Sequence, residues 1–274
     1  MQLRGKRVMI TGASRGIGEG LAHRFAGAGA TVALVARSAD AIEKLAADLG
    51  GTAHPADLSD PKQVATLINH IEDEAGPIDV LVNNAGSEIT GAFWDHDAEQ
   101  VVDIMQVNLT TPMELCRQAI PRMLRRGRGH IVNISSLAAC GLYPGLTAYS
   151  ATKAGLSHFT AGLRADLRGL AVKTTLVEMA GVPTEMLTHV SDYKPTEDSF
   201  RRGYRLHLVT DTPLDTIVTA TVEAVEKDQR HVRYPKRALL FPLLSEAPRR
   251  MTEMLLAGMK HQATSPNSGW ERAR

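Results

Sequence analysis

The sequence predicts a doubly wound parallel α/β sheet, three layers deep (α/β/α) and forming a single domain. Three observations predict it. Short apolar runs of strand length alternate with segments of helical periodicity from Arg7 to Val177. Their spacings suit right-handed crossovers between parallel strands. The polar and glycine-rich stretches fall where strands end, on the rim where sheets of this kind build their sites.

Residues 7–11 read as a short buried strand running into Thr11-Gly12-Ala13-Ser14-Arg15-Gly16-Ile17-Gly18, and helical periodicity follows through Leu21, Ala22, Phe25 and Ala28. Strand, glycine turn and helix in that order form the setting in which a GxxxGxG run binds a dinucleotide. Glycine lets the backbone turn sharply and approach a pyrophosphate, while the helix N-terminus offers free N–H groups. A tight turn with close helix–strand packing is the competing reading. The second strand, Thr31–Ala36, ends at Arg37-Ser38. An NAD site usually has an acidic side chain near this strand end for the ribose hydroxyls. Ala36 is uncharged and Arg37 follows it, while Arg15 projects from the glycine loop. Two guanidinium groups can surround a 2′-phosphate, so NADP(H) is favoured over NAD unless Arg37 simply faces solvent.

A helix over 39–49 leads through Gly50-Gly51 to a strand near Thr52–Ala56, closed by Asp57-Leu58. Asp57 could accept from an adenine amino group or cap a turn. Pro61 suits a helix start, with Val64, Leu67, Ile68 and Ile71 as its apolar stripe. Strand four, Ile78–Val82, opens into Asn83-Asn84-Ala85-Gly86, where small residues and amides could hold a cofactor edge against the sheet. Residues 87–96 read as loop. A long helical region follows to about Leu124, with breaks expected at Pro112 and Pro121. Asn108 lies within it, and a buried amide there could hold a bend or a water. Strand five is Ile131–Ile134, followed by Ser135-Ser136 and a glycine-rich stretch from Leu137 to Leu146. A helix through Leu156, Phe159, Leu163 and Leu167 precedes strand six at about Val172–Val177.

That helix carries Tyr149 and Lys153, four apart and so on one face. A phenol becomes a usable acid or base near neutrality when a cation favours its ionised form, and Lys153 is placed to be that cation. Ser136 could reach the same bound oxygen from a neighbouring strand. Alone, such a pair occurs by chance in many helices. Its agreement with the rim positions makes it a candidate active site.

Composition narrows the rest. The formal charge is +1, from 31 basic and 30 acidic residues, which gives no reason to expect a nucleic-acid partner. Arg122, Arg125, Arg126 and Arg128 read as a solvated turn rather than a phosphate patch. Cys116 and Cys140 lack partners at metal-ligand spacing, the histidines are scattered, and no metal site is expected. The chain passes almost directly into Lys6–Ile10, leaving no room for a signal sequence, and no apolar run is long enough to span a bilayer. A soluble, cytoplasmic protein is expected.

Thr11–Gly18, Asp57, Asn83–Gly86, Asn108, Ser136 and Tyr149-xxx-Lys153 follow one another in an order and spacing that resembles the short-chain dehydrogenase/reductase family over roughly residues 5–186. The resemblance implies a Rossmann fold with a seventh strand near His231–Tyr234. It implies an Asn108–Ser136–Tyr149–Lys153 active centre. Ser136 and Tyr149 would bond a substrate carbonyl, Tyr149 would donate the proton, and Lys153 would lower the tyrosine pKa and bond the nicotinamide ribose. Asn108 would support a water-linked proton path to Lys153. The implied cofactor contacts are Gly12, Ser14, Arg15, Gly16, Ile17 and Gly18 in the loop. Arg37, Asp57, Leu58, Asn84, Ala85 and Gly86 follow along the rim, with Tyr149, Lys153, Val182 and Thr184 at the nicotinamide end. A homodimer or homotetramer through the helices around 98–124 and 148–168 is likewise implied.

One departure stands out. Such families carry Pro-Gly shortly after strand six, whereas this chain has Met179-Ala180 and then Gly181-Val182-Pro183. Residues 187–210 correspond to a substrate lid, with a packed surface helix as the competing reading. A helix is expected over 211–228. The apolar segments 238–244 and 251–259 could wall a hydrophobic pocket, form a subunit contact or rest on a membrane surface. The domain is expected to span 1–261, and 262–274 to be a polar tail. The resulting expectation is an NADP(H)-dependent oxidoreductase acting on a bulky, hydrophobic ketone or secondary alcohol. A nucleotide-bound regulatory protein with little turnover, or an epimerase or dehydratase using the same cofactor, stands as the alternative.

Overall fold

The computed structural model describes residues 1–182, 192–206 and 210–235. Thr184, the first residues of the expected lid, the apolar segments 238–244 and 251–259 and the tail 262–274 lie outside the described residues. The strands are β1 (Arg7–Thr11), β2 (Thr31–Ala36), β3 (Thr52–Pro55), β4 (Val80–Asn83), β5 (Gly129–Ile134), β6 (Val172–Met179) and β7 (His231–Tyr234). They form one seven-stranded sheet in the order β3-β2-β1-β4-β5-β6-β7, every pairing parallel. Successive side chains of a strand face opposite ways. On β1, Val8 and Ile10 therefore enter one core with Leu21 and Phe25, while Met9 enters the other with Val64, Ile68 and Leu115. Burial on both faces is why these strands read as continuous apolar runs rather than alternating ones.

The helices are α1 (Gly16–Gly27), α2 (Ala39–Leu49), α3 (Pro61–Ala75), α4 (Ala98–Met105), α5 (Thr111–Arg125), α6 (Thr147–Asp166), α7 (Lys194–Arg205) and α8 (Leu214–Glu226). Helix α3 starts as expected, with Pro61 in its first turn and the Asp60 side chain accepting from Lys62 N at 2.9 Å. The chain order reverses on either side of β1, so β1 and β4 flank the switch point where doubly wound sheets open a crevice.

Three local expectations need correction. Pro112 falls in the first turn of α5, where its missing N–H has no intrahelical partner to lose, and Pro121 lies inside α5 without ending it. The buried face of α5, with Leu115, Cys116, Ala119 and Met123, holds the helix through that position. Residues 106–110 form a π-helical turn between α4 and α5, so the long helix bends at Asn108 rather than at either proline. The arginine cluster is more than a solvated turn. Arg126 bonds the Ile78 carbonyl at 2.7 Å and pairs with Glu72, while Arg128 pairs with buried Asp79 at 2.6 Å, bracing the start of β4. The region expected as a lid carries helix α7.

Candidate active site

The glycine loop joins β1 to α1 by backbone contacts too close for any larger side chain. Gly12 has a φ of +64°, and a Cβ there would stand 2.8 Å from the Ala85 Cα. A Cβ on Gly18 would stand 2.1 Å from the Gly12 carbonyl oxygen. Asn84 Nδ2 donates to the carbonyls of Thr11 (2.9 Å) and Gly12 (3.2 Å), and Thr11 Oγ1 accepts from the backbone N–H of Asn84 and of Ala85 at 3.0 Å. The end of β4 and the glycine loop thus form one polar-bonded unit. Asn84 serves this unit, whereas Asn83 is buried and donates to Asn133 Oδ1 at 2.8 Å.

A cavity of about 1080 Å³ runs from this loop across the sheet rim. Its wall takes in Gly12, Ser14, Arg15, Gly16 and Ile17, then Arg37, Asp57 and Leu58, then Asn84, Ala85 and Gly86. Ser136, Tyr149, Lys153 and Val182 complete the expected set within it, and Gly18 stands behind the loop. Arg15 and Arg37 are exposed, and Arg37 is near enough to Asp57 to favour its carboxylate. The larger influence on Asp57 is the pair of hydrogen bonds from Ser59 N and Ser59 Oγ, which hold its carboxyl below the usual range. Asp57 therefore caps a turn, as one of its two sequence readings had it.

Asn108 does not line the cavity. It is fully buried in the π-helical turn, accepts from Ser87 N at 2.8 Å, and donates to Ser87 O at 2.8 Å and Thr152 Oγ1 at 3.1 Å. It ties the segment after Gly86 to the helix that carries Tyr149 and Lys153. Lys153 Nζ donates to the Ile134 carbonyl at 3.1 Å and stands 5.7 Å from the Tyr149 ring centroid. Ser135, beside Ser136, donates to the Lys153 carbonyl at 3.1 Å and meets Ser157 at 2.8 Å, fixing α6 against β5.

Burial dominates the electrostatics here, although Tyr149 keeps part of its surface open to the cavity. Burial pushes the Tyr149 phenol up to about 12, a hydrogen bond from Ser136 pulls it back, and the charge of Glu88 raises it further. Burial pushes Lys153 down to about 8. Desolvation is the largest influence on the phenol, and the lowering expected from Lys153 is not among those acting on it.

The far wall is apolar and was only partly foreseen. Tyr143 and Phe200 face each other with ring centroids 5.2 Å apart, and Leu137, Leu146, Met179 and Leu214 also line the cavity. Helix α7 is tied to the 141–146 loop by Thr196 Oγ1, which donates to the Pro144 carbonyl at 2.6 Å. Sequence reasoning missed Glu88, Tyr143 and Thr152. Glu88 follows Gly86 by two residues, and that proximity to the rim motif was the available signal.

A glycine loop at the switch point of a doubly wound sheet, with tyrosine and lysine on the same rim, defines a dinucleotide-binding fold of the dehydrogenase type. The chain belongs to the short-chain dehydrogenase family, whose model matches residues 6–195. It is similar to the ketoacyl reductase HetN of Nostoc, with 41% identity over 180 residues, 64% of this chain and 63% of that protein. The first curated relatives it matches are covered over only 59–63% of their own length. Among solved structures, a short-chain dehydrogenase from Sphingobium yanoikuyae in complex with NADPH is 28% identical at a TM-score of 0.76, covering 96% of this chain and 99% of that one. The bulky-bulky ketone specific alcohol dehydrogenase of Comamonas testosteroni is 25% identical at a TM-score of 0.75, covering 95% of this chain and 99% of that one. No helix among the described residues is long and apolar enough to cross a membrane.

Proposed function

We propose that the protein is an NADP(H)-dependent oxidoreductase that interconverts a bulky, apolar ketone and its secondary alcohol. The observation that carries this reading is the meeting of Ser136, Tyr149 and Lys153 with the glycine loop in one cavity. The residues fit a dinucleotide, since Gly12 and Gly18 allow the close packing that holds the loop tight between β1 and the N-terminus of α1, facing the cavity. When bound, the nicotinamide supplies or takes the hydride.

The chain's own groups do the rest. Ser136 and Tyr149 hold the carbonyl oxygen and stabilise the negative charge that grows there. Tyr149 carries its phenolic proton near neutrality and is the group that donates it to that oxygen. Lys153, still largely charged at neutrality, would bond the ribose and favours the phenolate left behind. Asn108 keeps Ser87 and Thr152 in place around Lys153 and supports the proton path to it.

The NADP assignment rests on charge, because structures of this fold hold NADPH in one case and NAD in another. Arg15 and Arg37 line the cavity at its exposed end, beside the uncharged Ala36. The bulky-ketone assignment rests on the Tyr143–Phe200 wall, and specificity for bulky-bulky ketones in the Comamonas testosteroni structure supports it. Glu88 on the same wall selects against substrates with a carboxylate near the carbonyl. The exposed face of α4 and α5, where Val102 and Met113 stand in solvent, is the surface for a homo-oligomer.

The test is NADPH oxidation with ketones of rising apolar area and matched reactivity. The expected result is turnover that rises with apolar area, is about 10²–10⁴-fold lower in Tyr149→Phe with NADPH affinity kept, and is poor with keto acids. Arg37→Ala should shift the NADPH preference by several-fold to about tenfold, since the contact is exposed. Binding of NADPH without turnover on any ketone would leave a nucleotide-bound protein instead.

A further inference from the structure

Away from the cofactor cavity, three side chains converge between the end of β3 and the last turns of α3. His54 Nδ1 lies 3.3 Å from Glu74 Oε2, and His70 Nε2 lies 3.4 Å from the same oxygen. The three ligand atoms all fall within 4.8 Å of one another. For metal–ligand bonds of about 2.0–2.1 Å, neighbouring ligands of a tetrahedral zinc stand roughly 3.3–3.4 Å apart. Two of the three edges already have that length.

A second observation points into the same space. His54 is only 2% exposed, yet its Nδ1 makes no well-formed hydrogen bond. Its other nitrogen, Nε2, meets Thr52 Oγ1 at 2.8 Å. An outer-shell bond of that kind orients a metal-binding imidazole and fixes which nitrogen offers its lone pair. The His54 ring thus turns a buried nitrogen toward the Glu74 carboxylate with no well-formed hydrogen bond between them, and a cation between them satisfies both.

We propose that His54, His70 and Glu74 bind one divalent d-block cation of the zinc class, with solvent completing the tetrahedron. His70 and Glu74 are 66% and 59% exposed, so the ion has an entry path. Two imidazoles and one carboxylate suit zinc better than calcium or magnesium, which prefer oxygen ligands. The cation staples β3 to α3. His54 stands two residues before Ala56, Asp57 and Leu58 of the cofactor cavity, so the staple fixes that stretch of the rim. The site is separate from Ser136, Tyr149 and Lys153 and stands or falls independently of the proposed activity.

The experiment titrates ZnCl₂ into untagged, chelator-treated full-length protein by calorimetry and follows the thermal midpoint. The expected result is saturable uptake of one zinc per chain, with the midpoint rising as zinc passes the dissociation constant. Cobalt should give the intense visible bands of a tetrahedral site. His70→Gln changes an exposed residue and should fold normally. It should weaken zinc by more than the roughly 10–100-fold that an outer-shell partner is worth, and Glu74→Gln should do likewise. Absence of saturable zinc binding below millimolar would overturn the proposal, leaving a proton shared between His54 and Glu74. Binding unchanged in His70→Gln would overturn it equally, because the ion would then sit elsewhere.

Discussion

The two ends of the cavity are built by opposite means. At the dinucleotide end, backbone packs on backbone and short side chains lock it: Asn84 Nδ2 and Thr11 Oγ1 bond the main chain, and the approaches exclude a Cβ. At the substrate end, side chains meet side chains, and helix α7 is tethered by the Thr196–Pro144 bond and the Tyr143–Phe200 contact. The first kind of construction has almost no tolerance for change. The second can exchange one apolar residue for another and keep its frame. On the proposed function the difference teaches where specificity can vary: one end would fix the cofactor, and the other can follow the substrate.

The sharpest way to break the comparison is Gly18→Ala. Its new Cβ would stand 2.1 Å from the Gly12 carbonyl and 2.7 Å from Asn84 Nδ2, so the loop must move. Overpacking of this kind costs about 1–3 kcal/mol in stability. Because the displaced atoms frame the dinucleotide, NADPH affinity should fall by about 100-fold, a loss of nearly 3 kcal/mol. Calorimetric titration against the wild-type protein measures it. Unchanged affinity would mean the dinucleotide end is no more demanding than the other.

The same contrast explains what was legible in the sequence. Glycines 12, 16 and 18, and Tyr149 with Lys153, are held in relation by short covalent spacing, so a linear motif carries their geometry. The alternation of strands and helices was readable because both faces of the sheet are buried. Tyr143 and Phe200 are brought together from a loop and a helix, and no local rule joins them. Glu88 follows the rim motif, but its proximity to Tyr149 is a property of the folded cavity. Prolines 112 and 121 misled because local propensity was given more weight than the packing of α5. His70 and Glu74 stand four apart on α3, but His54 joins them only when a strand and a helix pack, so no linear motif carries the trio.

Lys153 stands where the two ends meet, and its ionisation sharpens the comparison. Burial lowers it from 10.5 to about 8, so the unfolded chain holds a proton that the native chain releases between those values. The unfolded state binds more protons across that window, so native stability rises with pH there. Below the native pKa both states are protonated and the full penalty stands, about 3 kcal/mol. Lys153→Met removes the penalty and forfeits the bond to the Ile134 carbonyl, worth about 1 kcal/mol. The variant should therefore be about 2 kcal/mol more stable than wild type near pH 7, narrowing towards pH 10, while turnover is lost. Urea unfolding of both proteins across that range is the measurement, and a difference that does not vary with pH would contradict the burial argument.

The smallest expected effect belongs to the substrate end. Phe200 sits on α7, lines the cavity and meets Tyr143 across 5.2 Å. An aromatic pair of this kind is worth about 0.5–1.5 kcal/mol beyond its buried area, a factor of roughly 2–10. Phe200→Ala should lower kcat/KM for bulky ketones by about that factor. Small ketones, which do not reach the ring, should lose little, and NADPH affinity should be unchanged because no dinucleotide contact is touched. Thr196 still donates to the Pro144 carbonyl in the variant, so α7 keeps its remaining tether and the effect reads the ring itself. A matching fall for small and bulky ketones, or a fall in NADPH affinity, would show that α7 orders the whole cavity. The two ends would then be one construction, and specificity could not change at one without disturbing the other.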